Sequence, residues 1–262
     1  MKQVTLIGMG AIGSSIFERM KSHTRVRISH VVVKPDRIPS LQALLGPEVQ
    51  VVSAVPSSTD AVLECAGHQA VMAHVLPALE QGIDCGMLSI GALASAPIAE
   101  ALEQAAQRGH AQLHVLSGAI AGIDALSAAR LDELSTVTYS GRKPPQGWRG
   151  SLAESLINLD AIAEPTVFFE ASAREAAQQF PKNANVAATL SLAGLGLDRT
   201  RVRLIADPTI QENIHEYEAV GAFGHLQVKL RGLPLPSNPK TSALTVLSAL
   251  RYLDHLANPV VI

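Results

Sequence analysis

Two cysteines are all that this chain of 262 residues contains. Cys65 and Cys85 lie far from any CxxC or zinc-ligand spacing, which excludes a disulfide framework and points to reduced thiols in a cytosolic protein. Basic runs are also missing. The formal net charge is -2, and without clustered Lys and Arg no surface is set up to neutralise phosphates, so nucleic acid is excluded as a partner. Long apolar runs are absent too. Hydrophobic residues make up 47% and charged residues 17%, yet much of the apolar content is alanine. Acidic or amide residues interrupt every stretch before it could cross a bilayer. A strand starts at the N-terminus, leaving no room for a signal or transit segment. No internal repeat and no low-complexity linker occurs. What remains is a soluble chain with a small-molecule partner, long enough for one large core or two smaller ones.

The N-terminal stretch KQVTLIGMGAIGSSIFERM reads as strand, tight turn and helix. Gly8, Gly10 and Gly13 stand in GxGxxG spacing. Gly8 permits the turn, Gly10 lets a pyrophosphate approach the backbone, and Gly13 lets the helix pack on the strand. Strands follow at VRISHVVV (26–33), QVV (50–52), DAVLEC (60–65), IDCGMLS (83–89) and QLHVLS (112–117), with helices over 68–79 and 97–108 between them. Gly82 and Gly109 occupy the positions of C-terminal glycine caps. This alternation predicts a doubly wound parallel Rossmann sheet over residues 1–117. At the end of the second strand, where a fold preferring NAD places Asp or Glu, the sequence has Lys34, with Asp36 and Arg37 close by. Lysine pairs with a 2′-phosphate and cannot accept from a 2′-hydroxyl. Since Asp36 could still serve the ribose, use of both NAD and NADP is expected.

Beyond residue 117 the character changes. STVTYSG, PTVFFEAS, TRVRLIADP, TIQENIHEYEAV and HLQVKLRG read as strands by alternation and β-branched or aromatic content. They predict an α+β domain over 118–237, with a largely antiparallel sheet and helices on one face. An apolar helix is expected from about 183 to 195. An amphipathic helix is expected over 242–257, with Pro239 and Thr241 in NPKTS as its start signals, and the terminal segment 238–262 is expected to pack back on the first domain. Lys182, Asn183 and Asn185 crowd the first turn of the apolar helix. A helix start carries unpaired N–H groups and partial positive charge, so such a cluster suits an anion or a carboxamide facing an interdomain cleft, although for the segment in isolation plain capping by Asn183, with Lys182 solvated, is the more ordinary reading. Thr241 and Ser242 raise the same pair of readings.

Together GMGAIG, ECAG (64–67), SGAIAGIDAL (117–126), FPKNANVAATL (180–190), ENIHEYE and NPKTSALT (238–245) resemble the L-aspartate dehydrogenase family over nearly the whole chain. The resemblance implies oxidation of L-aspartate to iminoaspartate for NAD biosynthesis, a catalytic histidine at His215 and a nicotinamide cofactor touched by Ala119 and Asn185. In its motifs the cofactor contacts fall on Gly8, Gly10, Ala11, Ile12, Gly13, Cys65 and Ala66, while Lys34, also a cofactor-binding candidate, departs from the acidic residue of a strict NAD enzyme. Lys182, Thr241 and Ser242 are the substrate-binding candidates. A homodimer formed through the second domain is expected, and the instability of iminoaspartate suggests coupling to quinolinate synthase. No metal is expected.

Hydride transfer from an amino acid needs a base for the amine proton and a site that holds the carboxylates. His215 alternates with Asn213 and Tyr217 on one strand face, and an imidazole with a pKa near neutral could take that proton. His68, just beyond the strand ending in ECAG, is the competitor. His225 opens a strand without polar company, and the others look structural or solvated. Lys182 or Lys240 would serve only if desolvated. A homoserine dehydrogenase or dihydrodipicolinate reductase type enzyme, or a nonenzymatic nucleotide sensor, would share the two-domain plan.

Overall fold

The structure, a computed structural model, describes residues 1–181 and 184–261, with backbone alone at positions 239 and 240. The chain divides into two compact units, Met1–Leu116 with Thr245–Ile262, and Ser117–Leu244.

In the first unit β1 (Lys2–Ile7), α1 (Ala11–Met20), β2 (Val26–Val32), α2 (Ile38–Leu45), β3 (Gln50–Val52) and β4 (Ala61–Glu64) lead into a helical stretch. That stretch is α3 (His68–Ala70), a π-helical turn over Val71–Val75, and α4 (Leu76–Glu80). It is followed by β5 (Asp84–Met87), α5 (Ala96–Gly109) and β6 (Leu113–Val115). The six strands are all parallel, in the order β3-β2-β1-β4-β5-β6. This is the doubly wound order, with its topological switch between β1 and β4. Leu6, Leu63 and Met87 are wholly buried in the sheet and Ile16, Leu79 and Leu102 on the helices against it.

Gly82, at φ +81, is the left-handed residue just past the Gln81 cap of α4, but Gly109 is the last residue of α5 and the left-handed cap is His110, at φ 53. Gly109 is needed for a different reason: a Cβ there would stand 1.8 Å from the Leu79 carbonyl oxygen, so only glycine lets α5 meet α4. The helix α2, in IPSLQALL, went unread in the sequence because Pro39 and its flanking PDR masked its period.

The second unit contains α6 (Ile123–Ala129), β7 (Leu134–Lys143), α7 (Ala153–Leu156), β8 (Thr166–Ser172), α8 (Ala173–Gln179), α9 (Asn185–Ala193), β9 (Arg201–Ala206), β10 (Asn213–Gly221) and β11 (Gly224–Gly232). The sheet runs β11-β10-β7-β9-β8, antiparallel at every pairing except β7 with β9. The chain has few aromatic residues, and four of them meet in this unit. Trp148 packs edge-on against Phe168 at 4.8 Å between centroids, and Phe180 packs against both Phe168 and Phe169. Such edge contacts add about 0.5–1.5 kcal/mol each beyond area burial. A capping box of Ser172 and Glu175 starts α8.

NPKTS does not open a helix. Residues Asn238–Ser242 form β13, paired with the two-residue β12 (Pro234–Leu235), and the terminal helix α10 is Ala243–His255. The hairpin pairing uses the backbone that a helix start would have left free. Within the first unit, Tyr252 of α10 lies over Gly86 of β5, where a Cβ would come within 2.5 Å of the ring. No helix among the described residues is long and apolar enough to cross a membrane.

Candidate active site

The glycine turn fits a dinucleotide. Gly8, at φ +96, follows β1 and its N–H donates to the Val32 carbonyl at 3.0 Å. A Cβ at Gly13 would stand 2.2 Å from the Gly8 carbonyl oxygen, so the loop closes on α1 only with glycine there. Gly10 is the opposite case: a Cβ there would meet nothing within 4 Å, which leaves open the face a pyrophosphate would take. Gly10 is also the N-cap of the ten-residue α1 and offers no capping side chain, so the N–H groups of Ala11, Ile12 and Gly13 point outward without an intrahelical acceptor.

Lys34 lies two residues beyond the end of β2 at the cap of a 3-10 turn, Pro35–Arg37, and Lys34, Asp36 and Arg37 are all exposed. None of the three side chains is in an ion pair among the described residues. Ala66 faces the glycine turn, since a Cβ on Gly8 would lie 2.7 Å from its methyl. Cys65 sits beneath that turn: its thiol donates to the Ile7 and Gly8 carbonyls at 3.2 and 3.4 Å. Burial, reinforced by Glu64, pushes the thiol far above its usual range. Its side chain therefore supports the loop by packing. His68 follows Gly67 at the start of α3 and is half-buried.

One residue here escaped the sequence reading. Glu64, fully buried at the end of β4, accepts from the N–H groups of Ala66 (2.7 Å), Gly67 (2.9 Å) and Ser89 (3.0 Å) and from the Ser89 hydroxyl (2.8 Å). The available signal was an ionisable residue closing an otherwise apolar strand.

In the second unit the β7–β10 ladder assembles a polar centre. Pairing sets Tyr139 opposite Tyr217 and Gly141 opposite His215. With no side chain at 141, the Tyr139 phenol reaches along the sheet to His215 Nδ1 at 2.8 Å; a Cβ on Gly141 would stand 2.7 Å from that phenol oxygen. The two rings lie nearly parallel, with planes 14° apart. His215 is only 6% exposed. Burial, and after it Lys143, lowers the imidazole to about 4, so the expected near-neutral value is corrected by groups distant in sequence. Tyr139 is buried and its phenol is pushed up, out of reach of ionisation. Tyr217 donates to the Gly122 carbonyl at 2.8 Å, and Asn213 is buried on the same face.

Ser242 is 4% exposed, and its hydroxyl has no partner among the described residues. It lies beside Gly232, which pairs with Asn213, two residues before His215. Thr241 belongs to β13 and its hydroxyl accepts from the Asn238 amide at 3.1 Å, so it does not cap α10. Asn185 is the exposed first residue of α9, after Ala184 at the cap. Ala119 follows Gly118, at φ +63, and is half-buried. Lys182 and Asn183 lie outside the described residues, as does the Lys240 side chain. His225, expected to lack polar company, pairs with Glu218 at 2.7 Å across the β10–β11 hairpin. Among the described residues no cluster of three or more His, Cys, Asp or Glu could hold a metal.

Two family models match: "Aspartate dehydrogenase, C-terminal" over residues 124–256 and "Homoserine dehydrogenase, NAD binding domain" over 8–116. The L-aspartate dehydrogenase of Ralstonia pickettii is 53% identical, with 99% of each chain covered. That of Pseudomonas aeruginosa is 49% identical, again with 99% of each covered. The crystal structure of aspartate dehydrogenase from Thermotoga maritima superposes at TM-score 0.80 with 27% identity, covering 100% of this chain and 99% of that one. A hyperthermophilic archaeal homoserine dehydrogenase shares the fold at TM-score 0.61 with 11% identity, covering 97% of each chain. With one relative more than half identical over nearly its whole length and a family model across the second unit, the chain belongs to the L-aspartate dehydrogenase family.

Proposed function

We propose that this chain oxidises L-aspartate to iminoaspartate with a nicotinamide nucleotide, and that His215 takes the proton from the substrate amine. The observation that carries this reading is the buried imidazole, lowered to about 4 and hence neutral at physiological pH. When Nδ1–H donates to the Tyr139 oxygen, Nε2 holds the lone pair that accepts a proton. So low a value makes a weak base at rest. A substrate bearing two carboxylates offsets it, because a neighbouring anion favours imidazolium. Once it has released that proton to solvent, the same group can activate water for hydrolysis of the imine.

The nucleotide, when bound, supplies the hydride acceptor. Gly8, Gly10, Ala11, Ile12 and Gly13 would hold its pyrophosphate, with Ala66 beside them and Cys65 supporting the loop. Ala119 and Asn185 would position the nicotinamide. Lys34 and Arg37 would pair with a 2′-phosphate and Asp36 with a ribose hydroxyl, so both NAD and NADP are accepted. Lys182, Thr241 and Ser242 would hold the substrate carboxylates, the unpartnered Ser242 hydroxyl being suited to an oxygen ligand. In this reading the first unit, Met1–Leu116 with the terminal segment from Thr245 rather than from the expected 238, binds the nucleotide, and the second unit, Ser117–Leu244, binds substrate and forms a homodimer. The enzyme works in the cytoplasm and feeds NAD biosynthesis, its unstable product passing to quinolinate synthase.

The test is reduction of NAD and NADP by L-aspartate, followed through the absorbance of the reduced nicotinamide. Aspartate is expected to support it and homoserine to fail. Turnover with homoserine instead would transfer the reading to that dehydrogenase type, and binding without turnover would favour a sensor.

A further inference from the structure

The buried carboxylate of Glu64 has no place in the roles above. Its four bonds are all accepted, three of them from backbone N–H groups of two separate loops. A carboxylate is an acceptor-only group, so the ionised form satisfies all four donors, whereas a carboxamide would turn its NH2 against at least one of them. No Lys, Arg or His side chain pairs with it among the described residues. It is a full charge held by dipoles in the protein interior.

Its position gives that charge a direction. The switch of the sheet lies between β1 and β4. In this fold the dinucleotide spans the switch, one half over β1 and β2, with Lys34 just beyond the end of β2, and the other over β4 and β5. Glu64 ends β4, and its partners are the loops after β4 (Ala66, Gly67) and after β5 (Ser89), so it ties together the edge that takes the nicotinamide half. Ala66, held by the shortest backbone bond to this carboxylate, is the residue packed on Gly8. The oxidised nicotinamide is a cation and the reduced ring is neutral. A buried negative charge beside that half favours the cation, and interior charges are little screened by salt.

Resting on the nucleotide-binding reading of the first unit, we infer that Glu64 is a positioning residue. It clamps the β4 and β5 loops into the nicotinamide half of the site and biases that site toward the oxidised nucleotide. Three outcomes separate the claims. Dissociation constants for the oxidised and reduced forms are measured on the full chain by calorimetry and by the fluorescence of the reduced ring, alongside thermal midpoints. In Glu64→Gln the oxidised form is expected to weaken roughly tenfold more than the reduced form, the scale of one unit charge acting on another through a protein interior. Equal weakening of both forms would overturn the charge bias, because a merely structural role does not distinguish them. Ser89→Ala keeps the charge and removes one donor, so both forms should weaken a few-fold together; unchanged affinities would overturn the clamp. If Glu64→Gln does not fold, Glu64→Asp carries the test: it keeps the charge without the reach, so both affinities should fall with their ratio retained, and a ratio shifted toward the reduced form would overturn the inference. Failure of the unmodified chain to bind either form would refute the nucleotide site itself.

Discussion

The low pKa of His215 makes the stability of the second unit depend on pH in a calculable way. Burial, with Lys143 second, lowers this imidazole from 6.5 to about 4. Its folded value lies below its unfolded value, so between the two the unfolded chain takes up a proton that the folded chain refuses. The contribution is therefore complete above about pH 6.5 and is lost as the pH falls toward 4. At about 1.4 kcal/mol per pKa unit the whole effect is about 3 kcal/mol, and linkage places about 2 kcal/mol of it between about pH 7 and pH 5. Trp148, the only tryptophan, is buried in the same unit and reports its unfolding alone. Urea titrations followed by its fluorescence, for the natural chain and for His215→Gln, isolate this contribution from the other acidic-range groups. The natural chain is expected to lose about 2 kcal/mol more than the variant on going from about pH 7 to about pH 5. Equal losses would mean that His215 is not held neutral by the fold, and the proton-acceptor argument would lose its basis.

The glycine turn offers a second contrast. Gly10→Ala should leave the thermal midpoint nearly unchanged, since the added methyl meets nothing, while weakening nucleotide binding because it fills the pyrophosphate face. Gly13→Ala forces a methyl against the Gly8 carbonyl and should lose about 1–3 kcal/mol of stability as well as affinity. For the 2′ position, Lys34→Asp with Arg37→Ala should move kcat/KM toward NAD, because it adds a ribose acceptor and removes two phosphate partners. An unchanged NAD to NADP ratio would remove both cations from recognition.

How far the sequence reaches depends on whether a feature is local. Strands such as VRISHVVV, PTVFFEAS and HLQVKLRG carry their own period, and the GxGxxG turn carries its own steric logic, so the doubly wound sheet and the second sheet are readable before any coordinates. Short helices are not: α6 and α8 are seven residues each and rich in alanine, too brief for a helical period to separate from a loop. NPKTS misleads because proline before Thr and Ser reads as a helix start, while its actual partner is a two-residue strand with no pattern of its own. The same division runs through the site. That His215 shares a polar face with Asn213 and Tyr217 follows from alternation along one strand. Its lowered pKa does not, because the burial that causes most of it, and Lys143 after that, come only with the folded sheet in which β10 pairs with β7. The role of Glu64 is not legible either, since its partners are mostly backbone N–H groups, which no residue letter displays.

His215 and His68 are the two candidate acceptors of the substrate proton. Turnover of L-aspartate by His215→Ala, set beside His68→Ala, decides between them directly. The His215 variant is expected to lose roughly 10²–10⁴-fold in kcat, the usual worth of a positioned acid–base group, while nucleotide affinity stays close to that of the natural chain and the His68 variant keeps most of its activity. A larger loss at His68 would contradict the assignment and move the proton acceptor to the first unit.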